Sequence, residues 1–216
     1  ESDGLLIDPV RHSETIQHAL SKLAESTIDG AQISTFTEGE KKRIRSAIQL
    51  IQLSSPQTWR ACERWITHFL KFETVPFRSA SHPHAFGCIF LSPRLELMSD
   101  LELATSIVHE IGHQDLFLLN IIDRLIQVPA DYKLSHAPFQ GRMRPPIGRL
   151  HSYFALFRMI QFQDQNALDS SHYRSLFEQT STTFADDELT PFGFQIVESA
   201  AQYLIRSAKA AEVQLA

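Results

Sequence analysis

Val108-His109-Glu110-Ile111-Gly112-His113-Gln114 is the stretch on which the reading of this chain turns. His109 and His113 stand four residues apart with Glu110 between them, the HExxH pattern. On an α-helix a four-residue step turns about 40° past one full turn and rises about 6 Å. Both imidazoles therefore leave one face and can close on a single metal ion. Glu110 lies about 100° round the helix from His109, so it can border a metal without ligating it. Around the motif, Leu101, Leu103, Ala104, Ile107, Val108, Ile111, Leu116, Phe117, Leu118, Leu119, Ile121 and Ile122 make the segment apolar nearly all round. That pattern predicts a buried helix. A buried His–Glu–His group needs partners, because an unpaired buried polar group costs about 1–3 kcal/mol. A metal supplies them.

Composition bounds the rest. A chain of 216 residues suits a single domain spanning 1–216, with a helical N-terminal part (1–72), a metal-site core (73–163) and C-terminal helices (164–216). Hydrophobic residues at 43% and charged residues at 21% fit a globular protein with a real core, and fifteen Phe predict an aromatic interior. The net charge of -5 and the lack of a basic stripe speak against nucleic acid as a partner. Glu110, His113 and Asp115 interrupt the longest apolar run before it reaches membrane-spanning length, so no membrane association is expected. No signal-peptide pattern is present, and the sequence opens at Glu1 without Met. Cys62 and Cys88 are isolated, with no CxxC. They read as reduced, packed thiols of a cytoplasmic protein.

Along the chain, residues 1–12 read as an irregular lead-in, Ser13 to Glu25 as a helix, and Asp29-Gly30 as a turn. Thr37 with Glu40 three residues on forms a capping box for a helix to about Leu53. Ser55-Pro56 opens the next helix. Trp59, Cys62, Trp65, Ile66, Phe69 and Leu70 follow at helical spacing and read as its core face. Thr74 to Phe77 reads extended, and 79–84 as a polar loop; its His82 and His84 are a candidate metal pair, but their place in a loop before the strand favours solvated side chains. Gly87 to Ser92 reads as a short buried strand. Ser99 or Asp100 caps the HExxH helix, which ends before Pro129. Gln127 to Pro146 reads as a long connection, of the kind that is functional or mobile. A long helix then runs from about Ile147 to Gln163 with His151 near its start. Ser170 or Ser171 caps a shorter one, and Thr190-Pro191 opens the last. The fold class is mainly α, with one small sheet near residues 73–92.

A catalytic metal takes about three protein ligands and keeps positions open. The metzincin extension would need Gly and His where this chain has Leu116 and Leu119. The thermolysin type would need a Glu on a following helix, yet Gln114 to Gln163 holds no Glu. His136 and His151 remain, and His151 starts a helix that can fold back. A three-histidine site can hold zinc, with Glu110 as general base for hydrolysis, or iron for oxygen chemistry. Spacing does not choose between them. A third reading is a helical binding module with an inert HExxH.

The order of motifs resembles the HExxH-type 2-oxoglutarate-dependent peptide β-hydroxylases, which modify ribosomally made peptides. The matching pieces are Ser79-Ala80-Ser81, Gly87 to Ser92, Val108 to His113, Ala137-Pro138-Phe139, Arg144-Pro145, Gly148 and Leu150-His151-Ser152-Tyr153. They span roughly residues 78–160. The resemblance implies iron(II) on His109, His113 and His151, with Glu110 orienting a ligand or substrate. It implies 2-oxoglutarate as cosubstrate, its far carboxylate on Arg144, with Arg142 and Arg149 behind it. It implies hydroxylation of a side-chain β-carbon in a precursor peptide. The chain departs from the family at Pro138-Phe139-Gln140, where Pro-Trp-Arg is frequent. It departs again at Gly112 and Asp115, where Gln and Lys are frequent.

Overall fold

The computed structural model describes residues 6–7, 33–73, 78–129 and 132–214. The helix expected over Ser13 to Glu25, the turn at Asp29-Gly30 and the extended reading of Thr74 to Phe77 lie outside the described residues. So does the lead-in, apart from Leu6–Ile7, which forms a short strand, β1. Among the described residues the chain is mainly helical with two small sheets. It divides into two compact units, Glu1–Asp115 and Leu116–Ala216.

In the first unit the Thr37 capping box starts helix α1 (Glu38–Ser54). The Glu40 amide donates to Thr37 Oγ1 at 3.2 Å, and the Thr37 amide donates to Glu40 Oε2 at 2.7 Å. Ile44, Ala47, Ile48 and Ile51 recur at helical spacing and are buried. Helix α2 (Pro56–Trp65) begins at Pro56, whose fixed φ suits the first helical position.

The core face expected to run through Phe69 and Leu70 is corrected here. The helix stops at Trp65, and His68–Phe72 is a strand, β3, at the centre of the sheet. On one edge β3 pairs in parallel with β5 (Cys88–Leu91) over His68–Lys71. It also pairs in parallel with β1 at His68–Phe69 and antiparallel with β2 (Ile33–Ser34) at Lys71–Phe72. β4 (Ser79–Ala80) adds antiparallel to β5. Aromatic and apolar residues suit a buried strand as well as a helix, and pairing along both edges decides between them. The four residues of β5 are buried, as the Gly87 to Ser92 reading expected, and Phe72 stacks on Phe90 at 4.9 Å.

Helix α3 (Asp100–Ile122) carries HExxH. Ser99 caps it: the Glu102 amide donates to Ser99 Oγ at 3.2 Å and the Ser99 amide to Glu102 Oε2 at 2.8 Å. Leu103, Ala104, Ile107, Val108 and Ile111 are buried. The expectation of burial all round fails at the last turn, where Ile121 is 77% and Ile122 75% exposed. Apolar composition sets a tendency to be buried, and the turn before the helix end presents these two side chains outward.

In the second unit, the long connection expected over Gln127 to Pro146 contains a hairpin that the single-sheet reading missed. β6 (Ser135–Ala137) and β7 (Arg142–Arg144) pair antiparallel, with Ser135 opposite Arg144. Gly141 closes the turn at φ 62°, a conformation that glycine adopts without strain. Then come α4 (Pro146–Gln165), α5 (Ser171–Ser181) and α6 (Pro191–Gln214). Their core includes Leu116, Leu150, Tyr153, Ile160, Phe177 and Leu204. The Tyr153 ring stacks on Phe177 at 4.1 Å, its hydroxyl donates to the Val197 carbonyl at 2.9 Å, and burial raises its pKa. Arg149 is fully buried. It donates to Glu188 Oε1 at 2.7 Å and to the Thr183 carbonyl, and lies over the Phe184 ring. Among the described residues no helix is long and apolar enough to cross a membrane.

Candidate metal centre

Two side chains four residues apart, Glu110 and Gln114, fasten the first-unit part of α3 to the sheet of that unit. Glu110 Oε1 accepts the Ser79 hydroxyl of β4 at 2.7 Å. One turn further on, Gln114 Oε1 accepts the Gly87 amide at 3.0 Å and its Nε2 donates to the Cys88 carbonyl at 3.2 Å. Gly87 has φ 84°, and a Cβ there would stand 2.8 Å from the Trp65 carbonyl oxygen, so the close approach requires glycine. Glu110 and Gln114 thus define the sheet-facing side of the helix. About 100° round from it, His109 and His113 share the next face.

On that face the two imidazoles meet edge to face, ring centroids 4.6 Å apart at 85°. Both are half-buried. His109 Nε2 lies 4.0 Å from Glu110 Oε1. Burial depresses the His109 pKa, and the opposing pull of the Glu110 carboxylate is smaller. His109 is therefore neutral near pH 7, the form that ligates metals. Glu110 is 1% exposed, and its Oε2 has no hydrogen-bond partner among the described residues. That oxygen is left able to accept from water or a bound group. Ser81 Oγ is likewise buried without a partner. Two imidazoles on one face beside an open carboxylate oxygen fit a divalent metal.

Among the described residues no group of three His, Cys, Asp or Glu side chains has the arrangement of a metal site. The His109–His113 pair, with Glu110, is the part of the expected set that the fold brings together. His151 is half-buried on α4, its ring 4.9 Å from Phe117. His136 is exposed on β6. His84 is exposed, while His82 is half-buried and its Nδ1 accepts the His84 amide at 3.2 Å. Cys88 is buried and free, and burial pushes its thiol up to about 11. The side chain of Cys62 lies outside the described residues.

The arginines separate clearly. Arg142 is exposed and Arg144 half-buried, both on β7. Burial, and next the neighbouring Arg142 charge, lower the Arg144 pKa, and its Nε is buried without a hydrogen-bond partner. Arg149 is committed to Glu188 and Thr183, so it serves the fold of its own unit. Gln140, at the place where the resembling family has Arg, accepts the Ser152 hydroxyl at 2.7 Å and ties the hairpin turn to α4.

Neither Ser79 nor Gln114 was named from the sequence as a contact to this site. For Gln114 a signal is present, since it lies one turn beyond Glu110 on the same helical face. The Ser79–Glu110 bond joins residues 31 apart, which no local pattern reveals. A scan against protein-family models and a search of curated proteins find no match to this chain.

Proposed function

We propose that this chain is an iron(II)- and 2-oxoglutarate-dependent oxygenase that hydroxylates a side-chain β-carbon of a ribosomally made peptide. The observation that carries the reading is the His109–His113 pair beside a buried, half-used Glu110 carboxylate. His109 and His113 would hold the metal, with His151 as third ligand. Ser79 holds Glu110 Oε1, which leaves Oε2 to orient a ligand or the substrate. Arg144, with Arg142 behind it, would bind the far carboxylate of 2-oxoglutarate, because a guanidinium can meet both oxygens of a carboxylate at once. With iron and cosubstrate bound, the site would insert one atom of dioxygen into a C–H bond while 2-oxoglutarate leaves as succinate and carbon dioxide.

The partnerless Glu110 Oε2 also favours a second reading, a zinc metallopeptidase in which that oxygen takes a proton from water. One set of assays separates the two. Iron-loaded wild type should form succinate from 2-oxoglutarate in air, and variants at His109, His113, His151 and Arg144 should lose it. Succinate formation retained in all four variants would refute the oxygenase. Peptide cleavage by the zinc-loaded wild type, abolished by Glu110→Gln with metal still bound, would establish the peptidase instead.

A further inference from the structure

We propose that Gly148 is a positioning residue for carboxylate binding, its bare α-carbon forming the seat against which the Arg144 guanidinium lies. The inference rests on Arg144 being the cosubstrate's anchor. Gly148 is the third residue of α4, where glycine costs about 1 kcal/mol against alanine. Its value lies in what a side chain would displace. A Cβ at 148 would stand 2.8 Å from Arg144 Nε and 3.3 Å from its Nη2. Both atoms belong to the far end of a flexible side chain, so the guanidinium is the group that gives way. Arg144 ends β7, in register with Ser135, and Pro145 follows it directly. The seat holds a cation that folding leaves open. Arg144 Nε is buried without a partner, and among the described residues no carboxylate forms an ion pair with Arg144. Arg149, one residue beyond Gly148, has an equally unpartnered Nε, but its charge is paired with Glu188. A half-buried guanidinium left in this state is suited to a small carboxylate ligand. Placing a methyl group at 148 pushes the guanidinium off its position while improving the helix.

Helix stability and ligand affinity therefore move in opposite directions in Gly148→Ala. The full-length protein, loaded with iron(II) under argon, is titrated calorimetrically with 2-oxoglutarate and with 2-oxobutyrate, which lacks the far carboxylate. In Gly148→Ala we expect 2-oxoglutarate to bind about tenfold more weakly, 2-oxobutyrate to be unchanged, and Tm to hold or rise. Wild-type affinity for 2-oxoglutarate in this variant overturns the inference. Arg144→Ala separates the two levels: if it binds 2-oxoglutarate as wild type does, the anchor reading itself fails. A double-mutant cycle with Arg144→Lys covers the case of a poorly folded Gly148→Ala. The loss caused by Gly148→Ala should vanish in the Arg144→Lys background, and an equal loss in both backgrounds would show that Gly148 acts elsewhere.

Discussion

Two glutamates of the first unit are buried to the same depth, Glu40 at 2% and Glu110 at 1% exposure, and they are treated in opposite ways. Glu40 has a charged partner that Glu110 lacks. Oε2 accepts the Thr37 amide at 2.7 Å, and Oε1 faces the Lys71 ammonium at 2.6 Å. Cap, strand and charge are satisfied together, so this carboxylate belongs to folding. Glu110 has one neutral partner, the Ser79 hydroxyl, and an oxygen with none. A buried polar atom is normally paired, so the open oxygen of Glu110 is the place where a ligand or water would be met. Of the two buried carboxylates, Glu110 is the one left with an oxygen to offer.

Substituting the two glutamates should split function from stability. The largest effect is expected from Glu110→Gln. It should lower turnover about 100-fold or more, as loss of a positioned carboxylate beside a metal does, while Tm stays near wild type. A matching collapse of Tm would show that Glu110 is structural like Glu40. Second comes Glu40→Ala, which strands Lys71 beside a half-buried strand and removes half of a capping box. We expect about 2–3 kcal/mol of destabilisation by urea unfolding, and unchanged turnover per folded molecule. Ser79→Ala is third. It leaves the Glu110 carboxylate without its remaining donor, so activity should fall about tenfold with metal binding weakened to a similar degree. Unchanged kinetics would show that the Ser79 bond does not set Glu110.

The smallest expected effect is on the pH dependence of folding. Burial pushes the Glu40 pKa up, but the Lys71 and Thr37 hydrogen bonds and the Lys71 charge outweigh it and hold the carboxyl below its ordinary value. A group depressed in the folded state stabilises fully above its unfolded pKa, and that stabilisation is lost as pH falls through the folded value. Urea midpoints of wild type should therefore drop through the acid range more steeply than those of Glu40→Gln. Parallel curves would remove Glu40 from acid unfolding.

What the sequence made legible was local. The Thr37–Glu40 box, the HExxH face, the proline-led helix starts and the strand before Ser92 each rest on spacing within a few residues. What it hid was decided across the chain. Phe69 and Leu70 continue the helical spacing of Trp59, Trp65 and Ile66, yet pairing with β1, β2 and β5 makes them a strand. The hairpin within the 127–146 connection turns on Gly141 and on strands of three residues, too short to show a period. At the site, the paired histidines were readable from their step along one helix. The contacts that hold Glu110 and Gln114 were not, because their partners come from β4, Gly87 and β5.

We propose that the His109–His113 face is half of an iron site that takes 2-oxoglutarate. Anaerobic optical titration tests it most directly, with iron(II) added to stoichiometry and 2-oxoglutarate added stepwise. We expect one metal per chain and a visible charge-transfer band that grows with 2-oxoglutarate, needs iron rather than zinc, and disappears in His109→Ala and His113→Ala. A wild-type protein that binds no iron, or binds it without developing the band, is not an oxygenase of this kind.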